Sequence, residues 1–214
     1  MDHPLKEFIR TVNLEGLQLA LLENPSLANQ GIPLDGNATL AHPLHRICDG
    51  VFNGVYSDEQ AAEMARLFLT HGAYVDGDPL QDLKDTPTIA AASLQSDSVA
   101  LLYIEHGANI FHAGCHGGTA LHWAAWCGRD KVVKRLLEAK AEISQLCFQF
   151  KSTPLFWGVH GYKFGGDKNR NNQVECVRLL VEAGADKSIP NFEGYKPIEL
   201  LESQADTEMI NLLK

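Results

Sequence analysis

Short phrases recur in step along the chain. Thr86-Pro-Thr-Ile, Thr119-Ala-Leu-His and Thr153-Pro-Leu-Phe begin 33 and 34 residues apart. His42-Pro-Leu-His lies 44 residues before Thr86, Lys196-Pro-Ile-Glu lies 43 after Thr153, and His3-Pro-Leu-Lys starts the chain in the same style. A second marker keeps the beat: Gly72-Ala73, Gly107-Ala108, Lys140-Ala141 and Gly184-Ala185. The two markers are 21 residues apart in the Thr86 and Thr119 units, but 30 and 31 apart in the His42 and Thr153 units. Two units therefore carry insertions, between the same two markers. Self-similarity at such a period restricts the chain to architectures built by stacking one small motif.

Each unit has a physical reading. A Thr at a helix N-cap accepts a bond from an orphan backbone N–H, and Pro at the first helical position has no N–H to leave unpaired. A short helix rich in small residues follows, as in Leu121-His122-Trp123-Ala124-Ala125, and Gly128 ends it. A second helix shows apolar residues three and four apart: Val132, Val133, Leu136 and Leu137, or Cys176, Val177, Leu180 and Val181. Glycine then closes that helix in the left-handed region. Neither helix buries its apolar face alone, so units must stack.

Thr-x-Leu-His-x-Ala-Ala, then Gly, a Val-rich helix and Gly-Ala, resembles the ankyrin repeat, most closely over Gly118–Ala141. The resemblance implies an all-α solenoid of about six stacked helix-turn-helix units with β-turn fingers, in a single domain over 1–214. Its cap units are 1–30 and 194–214, and its inner repeats are 38–76, 84–110, 117–143 and 151–187. It also implies a module that binds other proteins and performs no chemistry. Lys140 replaces a closing glycine, and Ile89, Phe156 and Glu199 replace the motif histidine.

Composition excludes other classes. The 214 residues are 45% apolar, too many for a disordered chain, yet no run approaches the roughly 18 apolar residues of a membrane span. The N-terminus lacks the basic-then-apolar pattern of a secretory leader, and the five cysteines form no C-x-x-C, so a reducing, cytoplasmic setting is expected. Residues 1–110 hold 5 Lys+Arg against 15 Asp+Glu, while residues 111–214 hold 13 against 12. Neither half supplies the basic field of a nucleic-acid binder. The expectation is a monomer with a protein or peptide partner, no nucleic acid, no membrane and no cofactor.

His45 and His122 occupy the motif position, where the resemblance implies a structural tie between inner helix and adjoining turn. No Walker loop, H-E-x-x-H or nucleophile elbow is present, so no residue is read as catalytic. His112, Cys115, His116, His122 and Cys127 are zinc-type ligands, but their spacing fits no familiar finger, and no metal site is assigned. The fourth and seventh residues after each motif start share a helix face, giving Arg46/Asp49, Ala90/Ser93, Trp123/Trp126, Trp157/His160 and Leu200/Ser203. All three tryptophans fall in this set, which by the resemblance lines a concave surface. They serve either as packing on its floor or as anchors for a partner. The turns preceding the next motifs add Phe148, Phe150, Phe192 and Tyr195, in contrast to Leu34-Asp-Gly-Asn and Leu80-Gln-Asp-Leu nearer the N-terminus. The partner-binding set is thus Trp123, Trp126, Trp157, His160, Phe148, Phe150, Phe192 and Tyr195. The insertions, 49–59 and 161–172, read as long Gly-bearing loops. They either wall the groove, are simply tolerated, or, as an alternative function, roof a small-ligand or enzymatic site.

Overall fold

Threonine caps start the inner helices in the computed structural model, which describes residues 3–33, 39–78, 84–166, 169–202 and 206–214. Thr86 Oγ1 accepts from the Ile89 N–H at 3.3 Å, and Thr153 Oγ1 from the Phe156 N–H at 3.2 Å, each with proline next in the chain. His42 substitutes for threonine, with Nδ1 accepting from the Leu44 N–H. The helices follow in pairs: α1 (Lys6–Arg10) and α2 (Leu14–Glu23), α3 (Pro43–Phe52) and α4 (Asp58–Thr70), α5 (Pro87–Ser93) and α6 (Asp97–Glu105), α7 (Ala120–Trp126) and α8 (Asp130–Glu138), α9 (Pro154–Phe164) and α10 (Arg170–Glu182). A 3-10 turn at Pro197–Leu200 precedes α11 (Thr207–Leu213). The described residues are mostly helical. The strands among them are one short antiparallel pair, Ile32 opposite Ala41 and Pro33 opposite Leu40, in place of a plain turn before α3. The Leu34–Asn37 and Leu80–Leu83 fingers lie outside the described residues.

The chain forms two compact units. One comprises Met1–Gln81 with Thr86–Asn109, the other Asp82–Asp85 with Ile110–Lys214. In the first, α3 packs on α5 and α4 on α6, so like faces like. Leu44, Ile47, Met64, Phe68 and Tyr103 are fully buried there, and the Tyr103 hydroxyl donates to the Leu44 carbonyl at 2.8 Å. In the second, α7 packs on α9 and α8 on α10, around Leu121, Val133, Leu136, Leu155, Val177 and Leu180. Burying such side chains stabilises by roughly 1.5–3 kcal/mol each relative to exposure.

The insertions add helix on both sides of a short non-helical link, residues 53–57 in the first and 165–166 among the described residues of the second. α3 and α9 run 10 and 11 residues against 7 for α5 and α7, while α4 and α10 run 13 against 9 for α6 and α8. Two of their glycines, Gly50 and Gly161, sit where the backbone is closely approached, while Gly54 and Gly166 turn the chain at positive φ. A Cβ on Gly50 would lie 2.1 Å from the Tyr56 ring, and one on Gly161 would lie 2.3 Å from the Trp126 carbonyl oxygen. Residues 167 and 168 of the second insertion lie outside the described residues.

The second helices close as the repeat register requires. Gly72, Gly107 and Gly184 have φ between 80° and 93°, and Lys140 stands at the same point with φ 67°.

Candidate protein-binding groove

The second unit carries three turns that ladder onto one another. The Gly114 N–H donates to the Gly118 carbonyl, the Cys147 N–H to Ser152 and the Asn191 N–H to Tyr195, closing each turn at 2.9–3.0 Å. Between turns, the Gln149 N–H donates to the His116 carbonyl at 3.0 Å, and the Phe192 N–H to the Phe150 carbonyl at 2.9 Å. This ladder brings the turn residues over the first residues of α7 and α9.

His122 ties helix to turn. Its Nδ1 accepts from the Thr119 N–H at 3.1 Å, and its Nε2 faces the Ser152 carbonyl at 3.2 Å. The accepting Nδ1 leaves Nε2 as the protonated nitrogen. Burial depresses its pKa to about 4, so the ring is neutral at pH 7.

The aromatic face assembles on that frame. Trp157, 5% exposed, is the floor, with its Nε1 donating to Cys147 Sγ at 3.4 Å. Trp123 meets it edge-on, with centroids 5.1 Å apart and planes at 80°; Trp126 does so at 6.2 Å and 73°, and Phe150 at 6.2 Å and 61°. Such edge contacts stabilise by roughly 0.5–1.5 kcal/mol each beyond burial. His160 stacks on Trp126 at 4.7 Å and meets Phe164 at 4.5 Å. Phe192 extends the row 6.5 Å beyond Phe150. The three tryptophans, His160, Phe150 and Phe192, with His116, Ser152, Phe156, Asn191 and Glu193, line an open groove of about 510 Å³. Glu193 is the one Asp or Glu in that lining, which contains no Lys or Arg. Two polar atoms in it, Trp123 Nε1 and His160 Nδ1, are buried without a hydrogen-bond partner among the described residues. Burial lowers the His160 pKa below its ordinary value.

Six of the eight candidate residues therefore meet in one place: Trp123, Trp126, Trp157, His160, Phe150 and Phe192. Phe148 and Tyr195 do not line it. Phe148 is 67% exposed with Lys151 Nζ 5.1 Å from its ring, and Tyr195 is exposed at the third turn. Trp126 is half-buried against His160 rather than free. His116, Asn191 and Glu193 were not singled out from the sequence as groove residues. The signal for His116 was its 33-residue offset from Gln149, its ladder partner.

The histidine and cysteine cluster is dispersed among other partners. His112 Nε2 bonds the Lys84 carbonyl, the Cys115 N–H donates to Asp85, and His116 Nδ1 bonds Gln149 Oε1. Among the described residues, no group of three or more His, Cys, Asp or Glu side chains is placed to hold a metal ion. None of their helices is long and apolar enough to cross a membrane.

Residues 54–147 match the family model for ankyrin repeats, in three copies. These are ankyrin repeats. The chain is 32% identical over 97 residues to the putative palmitoyltransferase ZDHHC13 of Danio rerio, a match covering 45% of this chain and 14% of that protein. It is 31% identical over the same length to palmitoyltransferase ZDHHC13 of Mus musculus and 29% to palmitoyltransferase Hip14 of Drosophila melanogaster, with the same coverage. The match spans about one-seventh of the length of these relatives.

Proposed function

We propose that the chain is a non-enzymatic protein-binding module of about six stacked units. It works as a monomer in the cytoplasm and holds a protein or peptide partner in the aromatic groove of α7 and α9. Ankyrin repeats imply protein partners, and the five free cysteines suit a reducing compartment. One observation supports the location above all: three tryptophans, a histidine and two phenylalanines from separate repeats converge on an open groove. Aromatic side chains clustered in a partly desolvated cleft are the common form of a binding hot spot. The palmitoyl transfer named for the relatives is not carried over, because the match reaches only 14% of each.

The test starts from proteins retained by the immobilised chain from cell extract. Dissociation constants for the recovered partner are then measured with Trp126→Ala, Phe150→Ala and Ser93→Ala, with folding checked by circular dichroism. The first two are expected to weaken binding at least about tenfold, or about 1.4 kcal/mol, and the third to leave it unchanged. Equal affinities for all variants would place the contact elsewhere.

A further inference from the structure

The groove's chemistry specifies more than an apolar partner. Aromatic faces carry a negative quadrupole and attract cations. The indoles of Trp123 and Trp126 and the ring of Phe150 surround a floor made by a third indole, Trp157. No Lys or Arg lines that space, whereas Glu193 does, its carboxylate accepting from the Asn191 side-chain amide at 3.5 Å. The lining thus combines ring faces with one acidic residue and includes no Lys or Arg.

We propose that the groove receives an arginine side chain of the partner polypeptide, its guanidinium lying against the indoles and paired with Glu193. This rests on the reading of the groove as the protein-binding site and adds what it selects. Arginine fits better than lysine for three reasons. Its planar head stacks on ring faces, it is more weakly hydrated than an ammonium, and its forked N–H groups pair with a carboxylate at two points. A volume of about 510 Å³ leaves room for the residues flanking the arginine in an extended segment.

The experiment uses the full chain and pools of nine-residue peptides. Each pool is degenerate except for a fixed central arginine, lysine, citrulline, leucine or proline. Citrulline keeps the shape of arginine and removes the charge. At roughly physiological salt, the arginine pool should be retained at least about tenfold better than the citrulline pool and better than lysine. Residues 1–110 carry an acidic excess that also attracts cations nonspecifically. Glu193→Gln separates the two effects, because it removes one charge from a chain of net −9 and scarcely alters that field. It should bring arginine retention to within about twofold of citrulline. Arginine selectivity unchanged in Glu193→Gln would overturn the assignment. A leucine or proline pool retained best, and lost in Trp126→Ala, would also overturn it while leaving the groove as the binding site. Dimerisation of the chain abolished by Trp126→Ala would seat a second copy there instead. No retention of any pool would overturn the arginine assignment, while the groove as a binding site is overturned only by equal affinities of the Trp126→Ala, Phe150→Ala and Ser93→Ala variants for the recovered partner.

Discussion

Lys140 shows how one residue departs from the repeat without breaking it. Its φ of 67° is the conformation that Gly72, Gly107 and Gly184 adopt without a Cβ clash. The side chain is exposed, so nothing buried is lost with it. Lys140→Gly should be neutral or stabilise by up to about 1 kcal/mol in urea unfolding. A clear loss would reveal a stabilising contact of the lysine. His122 and His42 are the opposite case, residues whose ionisation the fold opposes. Burial sets both near pKa 4, against about 6.5 in the unfolded chain. Each accepts a backbone N–H at Nδ1, so a second proton has no place. The unfolded state binds protons first as pH falls, so stability is full above about 6.5 and is lost progressively towards about 4. Between pH 7 and 5 the loss should be about 1–2 kcal/mol per ring. Replacing both histidines with glutamine should flatten that slope, and an unchanged slope would assign it to other groups.

At the level of elements, the inserted residues lengthen both helices of a pair, which places Gly50 and Gly161 eight residues past His42 and Thr153. Gly161→Ala drives a methyl into the Trp126 carbonyl, a backbone atom that cannot step aside. Overpacking of this kind should destabilise the chain by about 1–3 kcal/mol in thermal unfolding, and weaken partner binding as Trp126 shifts. Unchanged stability would mean that α7 and α9 separate at little cost. Here sequence reading and structure part company. Proline and threonine caps, closing glycines and the three-residue spacing of Trp123 with Trp126 are local rules, and they placed the helices and the groove's tryptophans. Gly50 and Gly161 read as loop markers, because glycine permits close approach as well as turning, and only the neighbouring helix distinguishes the uses. Phe148 and Phe150 are alike in sequence. Which one enters the groove is decided by a turn with Lys151 at φ 49° and by the backbone of Phe148 pressed on Gly117. Glu193 reaches the groove through the ladder bond from Phe192, a contact that no periodicity encodes.

Across the whole molecule, charge and aromatic content are divided between the compact units. The first unit holds 4 Lys+Arg and 13 Asp+Glu, and the second holds 14 of each, so the entire formal charge of −9 belongs to the first. Self-repulsion at low ionic strength acts on the first unit and is screened as salt is added. All three tryptophans belong to the second unit. Indole emission therefore follows the melting of the second unit alone, while far-ultraviolet ellipticity sums the helices of both. Raising salt from about 10 mM to about 300 mM should move the ellipticity midpoint upward by several degrees, and the emission midpoint by less than about half as much. Equal shifts would show that the two units melt as one cooperative body. Because the same three indoles line the groove, their emission also registers a bound peptide without any added label, so occupancy and local melting can be followed in one cuvette.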